Sequence, residues 1–164
     1  MMLARTYESG YRHMTLLRLG LGLSLSVASS NPRHGNSFRY DFADGPLEDV
    51  LFRIASPSVR DTWPTAFERA LYVLIKERKF GAGCVDAWER QQPELLTRAR
   101  QLLAPTLRTL EKRPFLFGDS PTLADAALYG NCAMLEEASS LSRVSPGLTA
   151  FARRVEAYRD KLAR

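Results

Sequence analysis

Thr122 and Asp125 stand three residues apart at the start of Leu123-Ala-Asp-Ala-Ala-Leu-Tyr-Gly-Asn-Cys-Ala-Met-Leu135, and this pairing constrains the fold more than any other feature of the chain. A Thr at a helix N-cap accepts a hydrogen bond from the amide three residues on. The acid at that position reaches back to the N-cap amide, so two otherwise orphaned donors are satisfied. Apolar and small residues then cover nearly every side of the helix, which places it inside a bundle. Ala126, Ala127, Gly130 and Ala133 let neighbouring helices approach closely.

Around this central helix the 3.6-residue period recurs. Leu47, Val50, Leu51 and Ile54 share a face over Pro46–Ile54, with Pro46 suited to a first turn. A second helix is expected from about Thr62 to Phe80, closed by Gly81 and Gly83. A long helix or broken pair follows over Cys84–Lys112, with a bend expected at Pro105. Leu148, Phe151, Val155, Tyr158 and Leu162 line a last helix after Ser145. No strand-like run appears after Gly45, so the expected fold is all-α, a bundle of about five helices.

Residues 1–44 read as an appendage, disordered or a short strand, ahead of a helical domain over 45–164. Leu17, Leu19, Leu21, Leu23, Leu25 and Val27 alternate with smaller or polar residues in a period-two pattern. The same stretch also reads as a signal peptide, with small residues at Ala28 to Ser30, although Arg18 interrupts its apolar run. It is too short and too rich in Gly and Ser for a transmembrane helix.

Charge narrows the function classes. The net charge of +5 is concentrated in residues 1–40, which hold +4 and leave residues 41–164 near neutral at +1. A nucleic-acid face is therefore not expected. Both histidines, His13 and His34, lie in the appendage, so the usual metal sites and His-based triads cannot be assembled on the bundle. Cys84 and Cys132 form no Cys-x-x-Cys pair and read as reduced thiols in a cytoplasmic protein. Lys76-Glu-Arg-Lys79 close to Cys84 could lower that thiol's pKa, although basic residues in a last turn more simply complement the helix dipole.

The segment Phe115-Leu-Phe-Gly-Asp-Ser-Pro-Thr-Leu-Ala-Asp-Ala126 resembles the C-terminal, all-helical domain of the glutathione S-transferase family. There a Ser/Thr-x-x-Asp box opens a buried helix after a loop of this type, and Thr122 and Asp125 fall on its positions. The role implied for them is folding. The resemblance extends less specifically over Gly45–Arg164, including the closing Pro146–Glu156 segment.

The resemblance implies that such a domain supplies part of the apolar wall for an electrophilic substrate. Trp63, Phe67 and Tyr72 are the candidates for that wall, with Trp88 and Tyr129 as further aromatics. A complete family member also carries a thioredoxin-like domain that binds and activates glutathione, and residues 1–44 show no β-α-β order of that kind. No catalytic or glutathione-binding residue is therefore carried over. Glutathione is expected as a co-substrate only where a thioredoxin-like domain is supplied, and no other cofactor or metal is implied.

Two functions follow. One is a transferase-like domain that offers the electrophile wall and is not catalytic alone. The other is a non-catalytic helical interaction module. The expected partners are a second copy of the chain, or a protein at the face left by the missing domain, with neither nucleic acid nor membrane.

Overall fold

In a computed structural model, the structure describes residues 43 and 45–163. The alternating segment, the signal-peptide reading and both histidines lie outside the described residues. Within them the chain is all-α, with seven helices and no β-strand. In order these are α1 (Glu48–Thr62), α2 (Ala66–Phe80), α3 (Cys84–Arg90), α4 (Gln92–Lys112), α5 (Leu123–Glu137), α6 (Leu141–Val144) and α7 (Pro146–Leu162).

α1 runs well past the expected end at Ile54, through a proline at Pro57. A proline inside a helix has no N–H for the carbonyl four residues back, here that of Arg53. The side-chain amide of Gln92, at the start of α4, supplies a donor instead. Its Nε2 lies 3.5 Å from Arg53 O, 3.3 Å from Ile54 O and 3.3 Å from Trp88 O. A side chain distant in sequence thus meets the carbonyl that the proline leaves free.

The helix expected over 62–80 is interrupted instead. Trp63 precedes Pro64 and is pushed to extended backbone, with φ −72° and ψ 125°. α2 restarts behind its own capping box: Thr65 Oγ1 accepts from Glu68 N at 3.1 Å, and Thr65 N donates to Glu68 Oε2 at 3.1 Å. The 84–112 stretch is a broken pair, parted at Gln91, and α4 continues through Pro105 without interruption.

The core sits between α1, α4, α5 and α7. Leu47, Leu51 and Ile54 meet Leu103, Leu128, Leu135, Leu148 and Phe151, all fully buried. A satellite cluster of Cys84, Val85 and Trp88 gathers Phe52, Val73 and Leu95 around α3. α2 alone among the six longer helices contributes no buried residue.

Candidate functional site

The polar centre of the domain is the α5 N-terminus. Asp125 is fully buried, yet both carboxylate oxygens are engaged. Oδ2 accepts from Thr122 N at 2.8 Å and from Thr122 Oγ1 at 2.7 Å, while Oδ1 accepts from Leu116 N at 2.8 Å. The last bond ties the loop before α5 to the helix. That loop turns at Gly118, whose φ of +143° and reciprocal backbone bonds with Phe115 form a tight bridge. Every acceptor faces inward to backbone or hydroxyl donors, so this carboxylate holds structure and meets no open space for a reactant.

Of the three aromatic candidates, Phe67 stands apart from the other two. Trp63 occupies the turn between α1 and α2, and its indole Nε1 is buried without a hydrogen-bond partner. Phe67 stands on the outer side of α2 with 71 % of its surface exposed. Tyr72 lies on the inner side, where the Lys76 Nζ sits 4.8 Å from its ring centroid and 4.8 Å from that of Phe52. Burial pushes the Tyr72 hydroxyl above its usual range and holds the Lys76 ammonium below the usual lysine range, with Lys79 adding repulsion to the latter. Sequence periodicity cannot tell the inner side of α2 from the outer one, because apolar residues occupy both.

A second aromatic group, of which the sequence singles out Trp88 alone, does converge. Phe52, Phe80 and Trp88 pack with ring centroids 5.3–5.8 Å apart, two of the three pairs edge to face. Trp88 is buried and Phe80 partly exposed, so the three fill one another's space.

Residues 84–160 match the family model described as "Glutathione S-transferase, C-terminal domain". This segment belongs to that family. No curated protein and no solved structure matches the chain.

The glutathione S-transferase C-terminal domain seen here therefore includes α3 to α6 and most of α7, with the Asp125 hub at its centre. Its thiols are not activated. Burial, followed by the Glu77 carboxylate, raises the Cys84 thiol above its ordinary value, so Lys76 and Lys79 do not make it a ready thiolate. Cys132, on α5, is pushed up to about 12 by burial. Tyr129, the remaining aromatic candidate, donates its hydroxyl to Glu156 on α7 at 3.1 Å.

Among the described residues, no group of three or more His, Cys, Asp and Glu could hold a metal ion. No described helix is long and apolar enough to cross a membrane. A shallow cleft of about 390 Å³ at the end of α4 is lined by Pro105, Arg108, Thr109, Lys112 and Arg113. Its cationic lining does not suit an apolar electrophile.

Proposed function

We propose that this chain acts through a helical, protein-docking domain of the glutathione S-transferase type and is not a transferase by itself. The observation that carries the reading is α2, a helix of 15 residues with none buried. Phe67, Leu74 and Ile75 leave 71, 53 and 53 % of their surfaces exposed on it. A contiguous apolar helix face on a soluble surface is the usual mark of a binding site.

The electrophile-wall reading has weaker support, because Phe67 is 71 % exposed on the side of α2 away from Tyr72. Conjugation also needs hydrogen-bond donors that stabilise the glutathione thiolate, and the resemblance assigns these to the thioredoxin-like domain. Calorimetric titration with millimolar reduced glutathione, followed by a turnover assay with an electron-poor aryl halide, tests the proposal. It predicts neither saturable binding nor conjugation. Saturable binding with turnover would overturn it.

A further inference from the structure

The cleft at the end of α4 carries charge that the fold does not use. Pro105, Arg108, Thr109 and Lys112 line it from one side of the helix, within an arc of about 100°. Arg113 then leaves the helix in extended backbone, with φ −139° and ψ 148°. Arg108, Lys112 and Arg113 are exposed, and among the described residues none of them forms an ion pair. Arg53, Arg60 and Arg159, by contrast, each meet a nearby carboxylate. Glu111, the acid nearest in sequence, falls about 60° outside the arc and does not line the cleft.

The helix dipole accounts for Lys112, which stands in the last turn. Its effect falls off within that turn, so it gives no reason for Arg108 before it or Arg113 beyond the helix end. Three cations turned to one cleft instead fit an anionic occupant. The cleft is too shallow to enclose a small molecule, whose sites bury about 70–90 % of the ligand surface. No aromatic residue lines it to stack a base, as single-stranded nucleic acid would need. Three cations also fall short of the clusters of about four to eight that hold a protein on an anionic lipid surface.

Spacing points to the remaining class. Arg108 and Lys112 are separated by about 6 Å of helix rise, and side chains on one face of an extended strand recur about every 6.6 Å. We infer that the α4 cleft binds an extended acidic segment of another protein, with carboxylates at alternate positions meeting Arg108 and Lys112 and a further one meeting Arg113. The guanidinium forks of Arg108 and Arg113 match planar carboxylates, and Lys112 adds a point charge. This site lies on α4 and does not depend on the docking face of α2.

Fluorescence anisotropy of the full chain with two labelled peptides of identical composition tests the inference. Both hold three glutamates among serines, at every second position in one and at every third in the other. The first is expected to bind about fivefold more tightly, because only its carboxylates share a face at the spacing of the cations. Arg108→Glu and Lys112→Glu should each weaken it by about fivefold or more, without loss of helicity, since both residues are exposed. Arg98 is exposed on the same helix about 15 Å before Arg108, beyond the screening length of about 8 Å at physiological salt, and Arg98→Glu should change affinity by about twofold or less.

Equal affinity for the two peptides would overturn the inference, as would a loss at Arg98→Glu as large as that at Arg108→Glu. Tighter binding to phosphatidylserine vesicles or to a single-stranded oligothymidylate than to the first peptide would give the cleft to lipid or nucleic acid and overturn it as well.

Discussion

Asp125 Oδ1 accepts the Leu116 N–H at 2.8 Å from a fully buried position. The bond spans nine residues and crosses from the α5 N-terminus to the preceding loop, so one carboxylate fixes both the helix start and the path of the chain into it. Thr122 supplies the other two donors, its N–H at 2.8 Å and its hydroxyl at 2.7 Å. Hydrogen bonds to a charged group are worth more than neutral ones, and buried donors left unpaired cost about 1–3 kcal/mol each.

Asp125→Ala should therefore lower stability by about 3 kcal/mol and the melting temperature by about 10 °C. Asp125→Asn keeps one acceptor but turns an NH2 group toward a donor, and should lose an intermediate amount. Thermal and urea unfolding followed by circular dichroism measure both. An alanine variant within about 0.5 kcal/mol of the native chain would show that the hub does not hold the fold.

Gln92 and Pro57 should be energetically coupled. With Pro57 in place, Gln92→Ala leaves the Arg53 and Ile54 carbonyls without their side-chain donor and should cost about 1–2 kcal/mol. In a Pro57→Ala background the helix regains an N–H of its own, and the same change at Gln92 should cost less. A double-mutant cycle reads the difference, expected at about 0.5–1 kcal/mol. Strict additivity would mean the amide does not compensate for the proline.

This coupling also shows what the sequence could not reveal. The helical character of α4, α5 and α7 follows from apolar period and local caps, both of which act within one or two turns. The donor that meets the freed carbonyl of α1 at Pro57 comes from Gln92, 35 positions away in the chain. The break at Trp63 had local signals, Pro64 after it and the Thr65-Ala-Phe-Glu68 box beyond, but the apolar period runs across both. The family resemblance set Phe67 and Tyr72 on one wall, and packing against α1 and α3 separates them.

Cys132 sets a pH dependence with a definite sign. Its thiol is held up to about 12 in the folded chain, against about 8.5 when unfolded. Between those values the unfolded state has lost a proton that the folded state keeps, so this group lowers stability as pH rises. The slope approaches about 1.4 kcal/mol per pH unit, and below about pH 8 the contribution is flat. Stability of Cys132→Ala relative to the native chain, measured in urea from neutral to alkaline pH, should improve across that window. A difference independent of pH would contradict the burial argument.

Lys76 should behave in the opposite sense. Burial disfavours its ammonium, so in the window below about pH 10.4 the unfolded chain holds the extra proton and stability rises with pH. Acylation by an activated ester, read by peptide mass spectrometry, should give a midpoint for Lys76 below the usual lysine value of about 10.4. Phe52→Leu opens the site by removing one of the two rings under the ammonium and should bring that midpoint back toward it. A midpoint at or above the usual value in the native chain would contradict the account.

The central claim is that α2 offers its outer face to another protein surface, and amide hydrogen exchange tests it most directly. Exchange along residues 66–80 is compared between dilute and concentrated protein, with α5 as an internal reference. Protection of α2 should rise with concentration while α5 is unchanged, and Leu74→Glu should remove the rise. Identical α2 exchange at both concentrations, in the native chain and the variant alike, would contradict a docking face on α2 that a second copy can fill.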